Sequence, residues 1–121
     1  MKGTARHTEI IPSRTLSELT GHEILLKPEN LQVTGSFKIR GAYNKIASLS
    51  EEQIARGIVT ASAGNHAQGV AYAARERHAK ATICMPQITP PLKVDATKRT
   101  APMWSLYGGR VRRGGRHAAE L

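Results

Sequence analysis

The segment from residue 58 to residue 85 constrains the possible folds most strongly. It begins with a short β-branched run, Ile58–Ala61, and ends with a second apolar run, Ala81–Met85. Between the two runs lies a helical pattern whose apolar face consists of small residues, Ala67, Val70, Ala71 and Ala74. A strand–helix–strand order at this spacing predicts a parallel β-sheet with a right-handed crossover, and therefore an α/β fold.

Start and stop signals elsewhere extend this pattern over most of the chain. The further elements that they predict are a helix from Ser13 to Gly21, a strand at Glu23–Lys27, a helix opened by a capping box of Ser50 with Gln53, and a last helix at Pro91–Arg99. Cys84 falls inside a predicted strand and is interpreted as a small core residue.

The turn from the first buried strand into its helix is one candidate binding site. Its sequence, Ser62-Ala-Gly-Asn-His66, contains a glycine and would expose unpaired backbone N–H groups at a helix N-terminus. Such a turn favours anions, because both the N–H groups and the helix dipole attract negative charge. The plainer interpretation is a turn in which Ser62 or Asn65 only caps the helix.

A second candidate site begins the helix that precedes it in the chain. Ser36 is the predicted N-cap, and the apolar stripe behind it consists of Ile39, Ala42, Tyr43 and Ile46. Lys38 therefore falls in the first turn, where the helix dipole disfavours a cation. A neutral amine is a nucleophile for an aldehyde, so the position suits a Schiff base. For an arbitrary Ser-x-Lys segment, a plain surface lysine is the commoner outcome.

Both candidate sites resemble signatures of one enzyme family. The segments Thr34-Gly-Ser-Phe-Lys-Ile-Arg-Gly-Ala42 and Ala61-Ser-Ala-Gly-Asn-His-Ala-Gln-Gly69 are similar, in this order, to the two N-terminal signatures of the pyridoxal-phosphate threonine/serine dehydratases. The resemblance runs from about Ser13 to Arg99. It implies the N-terminal part of a fold type II enzyme, an α/β three-layer fold whose parallel sheet is incomplete here.

The resemblance also implies roles for individual residues. Lys38 is expected to hold the aldehyde of pyridoxal 5′-phosphate, and Phe37 to pack against the cofactor ring. The substrate carboxylate is expected to bind at Ser62, Ala63, Gly64, Asn65 and His66, and Asn65 would also lie beside the phenolic oxygen of the cofactor. Arg40 is expected to be a structural ion-pair partner, and no metal site is predicted.

The implied reaction is the dehydration of L-threonine to 2-oxobutanoate and ammonia, or of L-serine to pyruvate, as in isoleucine biosynthesis. The amine of Lys38, once released from the cofactor, would remove the α-proton of the substrate. Racemases with this signature carry a serine immediately before the Gly-Asn pair, whereas Ala63 has no proton to give, and this difference favours elimination. A serine racemase or another β-eliminating relative is the alternative.

The resemblance stops after residue 99. Residues 1–99 are interpreted as the N-terminal part of the dehydratase domain, and residues 100–121 as an aberrant basic, Gly/Arg-rich tail. Reading GC-rich codons for residues 100–105 one base earlier gives Tyr-Gly-Ala-Asp-Val-Val, which is similar to the Tyr-Gly-Ala-Glu-Val-Val of the family, so a frameshift is one hypothesis and a flexible extension the other. The family's phosphate cradle would lie beyond residue 121, so the isolated chain is expected to be inactive. A non-catalytic remnant that binds a partner is a further alternative.

The charge and the composition bear on the remaining function classes. The net charge is +9, but the basic residues are not interleaved with aromatic ones, so nucleic-acid binding is not expected. No apolar run approaches about 20 residues, so no membrane span is expected. With a single cysteine and no visible export signal, the chain is expected in the cytoplasm. The resemblance implies a homo-oligomeric parent enzyme that acts on a small amino acid.

Overall fold

The structure is a computed structural model, and it describes residues 3–100. The helices are α1 (Arg14–Thr20), α2 (Lys38–Ala47), α3 (Glu51–Ala55), α4 (Asn65–Glu76) and α5 (Pro91–Lys98). The strands are β1 (Ile11–Pro12), β2 (Leu25–Leu26), β3 (Ile58–Ala61) and β4 (Ala81–Cys84), and a 3₁₀ turn spans Glu29–Leu31. The tail predicted for residues 100–121 lies outside the described residues, apart from Thr100.

The predicted strand–helix–strand unit is present. Strands β3 and β4 pair in parallel, with Ile58 opposite Ala81 and Ala61 opposite Cys84, and α4 connects them. The prediction that β3 is fully buried was wrong, since Val59 is exposed and the rest of the strand is half-buried. The physical reason is that only β4 pairs with β3 among residues 3–100.

Helix α4 is the centre of the described structure. One of its sides packs against α2 in a cluster that includes Ile39, Ala42, Ile46, Val70, Ala73 and Ala74. Its other side packs against β4 and α5 in a smaller cluster of Ala67, Ala71, Ile83 and Met85, with Val94 beside it. Small side chains are needed on α4 because it is packed on two sides at once.

The N-terminal part forms a separate antiparallel ribbon and a short helix. Strand β1 pairs with β2 through Ile11 opposite Leu26 and Pro12 opposite Leu25. Ser13 caps α1 by accepting a hydrogen bond from the backbone N–H of Leu16, and Gly21 ends the helix at a φ of 68°. Both bounds of this helix confirm the prediction, whereas the strand predicted at Glu23–Lys27 is shorter, because its partner β1 is only two residues long.

The helix caps agree with the sequence at one site and differ at another. The capping box of α3 is confirmed: the N–H of Gln53 donates to Ser50 Oγ over 3.2 Å, and the N–H of Ser50 donates to Gln53 Oε1 over 3.0 Å. The prediction of Ser36 as the N-cap of α2 was wrong, because Phe37 occupies that position in helical backbone geometry and no side chain in the described part of the chain caps the helix. The Ser36 side chain is instead directed into the interior, where its hydroxyl is buried without a partner among the described residues.

Candidate active site

Lys38 is the first residue of α2, which confirms its predicted place in the first turn. Its Nζ lies 4.7 Å from the centroid of the Phe37 ring, within the range of a cation–π contact. No residue among 3–100 forms a hydrogen bond or an ion pair with this amine. Among residues 3–100, the amine therefore contacts the Phe37 ring, and its nitrogen is not engaged by a hydrogen bond or an ion pair.

Phe37 immediately precedes Lys38 and carries an unusually exposed aromatic ring. The residue is 57% exposed, although aromatic side chains are usually buried. A planar group bound at the Lys38 amine would find this ring beside it. This exposure suits the role that the sequence predicts for Phe37, and that role stays a prediction.

The turn before α4 presents its backbone N–H groups as the sequence predicts. Gly64 is the N-cap residue of α4, and no side chain of residues 3–100 caps this helix end, so the plainer interpretation of Ser62 or Asn65 as a helix cap was wrong. Ser62 Oγ instead accepts the N–H of Gly64 over 3.3 Å and stabilises the turn itself. Asn65 and His66 are exposed, and Ser62, Ala63 and Gly64 are half-buried. The N–H groups of the first turn of α4 thus remain available to a carboxylate.

The two candidate sites are joined through a close contact between α2 and α4. Gly69 lies one helical turn beyond Asn65, against the backbone of Lys38. A Cβ atom built on Gly69 would lie only 3.1 Å from the backbone carbon and oxygen of Lys38. The N-terminal parts of both helices therefore belong to one packed unit.

A polar network fixes the opposite side of α2. Arg40 donates from Nε to Glu29 Oε2 over 2.9 Å and from Nη2 to Glu29 Oε1 over 2.8 Å, which confirms Arg40 as an ion-pair partner. Thr8 Oγ1 donates to the same carboxylate over 2.6 Å. The pKa of Glu29 is lowered to about 2, mainly by the hydrogen bonds from Arg40 and to a smaller extent by the hydrogen bond from Thr8.

Sequence reasoning missed most of this network. Gln32 is buried, and its side chain pairs with the backbone of Arg6 in both directions, over 2.7 and 2.9 Å. Lys27 Nζ donates to the carbonyl of Thr8 over 2.6 Å. The partners lie 19 to 26 positions apart in the chain, so no local pattern could have found them.

Other parts of the described chain carry no comparable set of reactive groups. Cys84 is buried, and burial raises the pKa of its thiol, so the prediction of a core cysteine is confirmed. Residues 3–100 contain no cluster of three potential metal ligands and no helix long and apolar enough to cross a membrane. A pocket of about 380 Å³ lies beside residues 6–9, Ile11, Pro28 and Leu31, and none of the predicted site residues lines it.

The residues present fit a cofactor that carries an aldehyde and an aromatic ring. Lys38 offers a primary amine without a hydrogen-bond or ion-pair partner among residues 3–100, and Phe37 offers an exposed aromatic face beside it. A family model described as "Pyridoxal-phosphate dependent enzyme" matches residues 1–121. The chain belongs to this family. The predicted family, its fold type II α/β architecture and its use of pyridoxal phosphate are thereby confirmed.

The chain is similar to individual members of the family. The L-threonine ammonia-lyase of Thermotoga maritima is 56% identical over 108 residues, which cover 89% of this chain and 27% of that protein. The solved structure of the processed form of threonine deaminase isoform 2 from Solanum lycopersicum has a TM-score of 0.91 at 40% identity, over 99% of this chain and 33% of that one. The structure of maize serine racemase has a TM-score of 0.88 at 33% identity, over 96% of this chain and 35% of that one.

These similarities place the chain among the threonine dehydratase relatives of the family, which are lyases of amino-acid metabolism. The chain spans about a quarter of the length of the curated relatives that it matches, 27% and 24% for two L-threonine ammonia-lyases. The similarity to serine racemase agrees with the alternative that the sequence left open.

Proposed function

We propose that this chain supplies the cofactor lysine and the carboxylate-binding turn of a threonine dehydratase, which converts L-threonine to 2-oxobutanoate and ammonia, and L-serine to pyruvate and ammonia. The single observation that carries the proposal is the Lys38 amine, which has no hydrogen-bond or ion-pair partner among residues 3–100 and begins a helix packed against α4. The uncapped N-terminus of α4 provides the second half of the site.

Each residue of the proposed site has a defined task. Lys38 would hold pyridoxal phosphate, and Phe37 would cover one face of its ring. Bound pyridoxal phosphate supplies an electron sink for the negative charge that forms at the substrate Cα. The first-turn N–H groups of α4 would hold the substrate carboxylate, and the Asn65 side chain would orient the cofactor.

Proton transfer in this scheme rests on Lys38. When the substrate occupies the site, the amine of Lys38 is free and accepts the proton from the substrate Cα. The β-hydroxyl of the substrate would then leave as water, with the proton that the Lys38 ammonium group returns to it. Ala63 supplies no acid or base, so the described turn offers no second proton donor at that position, and dehydration is favoured over racemisation.

Cytoplasmic localisation and a homo-oligomeric whole protein are part of the same proposal. They rest on the sequence and on the family, and a stable subunit association would be seen by sedimentation of the full-length protein.

The test is to assay the full-length protein with pyridoxal phosphate and L-threonine and to follow 2-oxobutanoate. Lys38→Ala should lower the rate by at least about 10²–10⁴-fold, because the variant loses the general base as well as the cofactor anchor. The control Lys45→Ala removes an exposed lysine from the last turn of the same helix and should keep the activity. Equal activity of Lys38→Ala and wild type would refute the proposal.

A racemase is the second candidate, favoured by the similarity to maize serine racemase. The same protein is therefore incubated with L-serine, and both pyruvate and D-serine are measured. Pyruvate in large excess over D-serine would support the proposal of a dehydratase. D-serine as the main product would contradict it and support a racemase.

A further inference from the structure

Gly69 marks the closest approach between the two helices that carry the candidate site. A Cβ atom at this position would lie 3.1 Å from the carbonyl carbon and oxygen of Lys38 and 3.2 Å from the nitrogen of Ile39. These contacts are tighter than ordinary van der Waals separations, and all three atoms belong to the backbone. No change of side-chain rotamer could make room for a methyl group, so one helix would have to move.

Gly69 lies between the two halves of the proposed site. The atoms that it meets belong to Lys38 itself and to the peptide that follows it, and the carboxylate-binding turn lies one helical turn away on the same helix. The contact therefore connects the residue that holds the cofactor with the turn that holds the substrate carboxylate.

We propose that Gly69 is a positioning residue whose missing side chain sets the separation between the Lys38 amine and the Ser62–His66 turn. The inference rests on the proposed function, because it assumes that one ligand must reach both sites together. A methyl group at residue 69 leaves the amine and the N–H groups chemically intact, but the adjoining backbone of Lys38 and Ile39 must give way by a few tenths of an ångström. The expected consequence is a changed distance between the amine and the turn.

This role predicts a specific pattern of loss. Gly69→Ala should still attach pyridoxal phosphate to Lys38, because the Schiff base forms on the Lys38 amine and the substitution leaves this amine in place. Binding of an amino acid that must meet both the cofactor and the turn should weaken, since small misplacements in such sites cost large factors. A purely structural glycine would affect both properties together, through the fraction of folded protein.

The test compares Gly69→Ala with Gly41→Ala in the full-length protein. Gly41 lies in α2, and a Cβ atom there would meet nothing within 4 Å among residues 3–100, which makes it the matched control. Attachment is measured by mass after borohydride reduction with pyridoxal phosphate, and substrate binding by the change in cofactor absorbance on titration with L-threonine.

We expect all three proteins to attach the cofactor to Lys38 equally and Gly69→Ala alone to require about tenfold more L-threonine for half-saturation. Wild-type half-saturation in Gly69→Ala overturns the inference, and so does a parallel loss of attachment and of threonine binding. If the wild type attaches no cofactor to Lys38, the proposed function fails. The melting temperatures then test the close contact between Gly69 and the Lys38 backbone. A melting temperature of Gly69→Ala equal to that of Gly41→Ala contradicts the contact, and a lower one supports it.

A second measurement covers the case in which Gly69→Ala does not fold. In wild-type protein, a nuclear Overhauser contact between the Gly69 α-protons and the Ile39 amide proton should be present without L-threonine and should persist when it is added. Disappearance of this contact on addition of L-threonine would overturn a fixed separation.

Discussion

Glu29 is the residue that holds the N-terminal segment to the helix of Lys38. Its carboxylate accepts hydrogen bonds from Arg40 and from Thr8, and Arg40 Nη2 reaches the carbonyl of Arg6 over 3.1 Å as well. Helix α2 thus begins with Lys38 and has an anchored arginine two residues later. The anchor fixes the first turn of the helix while the amine of Lys38 stays unbonded to residues 3–100.

This ion pair predicts a particular dependence of stability on pH. The pKa of Glu29 falls from 4.5 to about 2 because of the hydrogen bonds from Arg40 and Thr8. Since the folded-state value is the lower one, the stabilisation is complete above about pH 4.5 and is lost as the pH falls toward 2. Glu29→Gln should lower the urea midpoint at pH 6 and flatten its fall between pH 4.5 and 2.

The control for this measurement is Glu18→Gln. Glu18 pairs with Arg14 over 2.7 Å on the exposed surface of α1, where an ion pair contributes little. Its urea midpoint at pH 6 should equal that of the wild type. A Glu29→Gln protein whose midpoint follows the wild-type curve at every pH would contradict the role of the network.

At the scale of elements, the contact between α2 and α4 determines the geometry of the candidate site. Ile39 follows Lys38 directly and is 0% exposed, in the cluster that also contains Val70 and Ala73 of α4. Leu49 and Tyr43 pack at the edge of this cluster. Lys38, the proposed cofactor lysine, therefore lies next to a fully buried residue, whose packing holds the first turn of α2 against α4.

Ile39→Ala should destabilise the fold by about 2–5 kcal/mol, because it removes buried methyl groups and leaves a cavity between α2 and α4. The measurement is the free energy of unfolding from urea titration at pH 7. Leu19→Ala is the control, since Leu19 is 77% exposed and its truncation should change this free energy by at most about 0.5 kcal/mol. Equal effects of the two substitutions would show that the contact contributes little.

For the whole molecule, features that depend on a few neighbouring residues were predictable from the sequence. The capping box of α3, the glycine that ends α1 and the proline that begins α5 each follow from residues within one turn. The parallel pairing of β3 with β4 also followed, because a strand–helix–strand order leaves few other arrangements.

Features that depend on distant residues could not be predicted. Serine is a residue type that often caps helices, yet the Ser36 hydroxyl is buried in the interior. After the turn at Gly35 (φ 68°), the N-cap position falls on Phe37, which has helical backbone geometry. The pairing of Gln32 with Arg6 spans 26 positions and left no local signal. The approach of Gly69 to Lys38 required the relative placement of two helices.

The candidate site shows both cases in one place. The positions of Lys38 and of the Ser62–His66 turn at two helix N-termini followed from the sequence, and the resemblance to the dehydratases is confirmed by the family match. The individual roles of Phe37, Lys38 and the five residues of the turn stay predictions, because they depend on a ligand bound between the helices.

The proposal that Lys38 holds pyridoxal phosphate is tested most directly by identifying the residue to which the cofactor is attached. The full-length protein is incubated with the cofactor, reduced with borohydride and digested, and the peptides are mapped by mass. We expect the pyridoxyl group on the peptide that contains Lys38, and no pyridoxyl group on the same peptide of the Lys38→Ala protein. A pyridoxyl group on Lys45 or on any other lysine, with Lys38 unmodified, would contradict it.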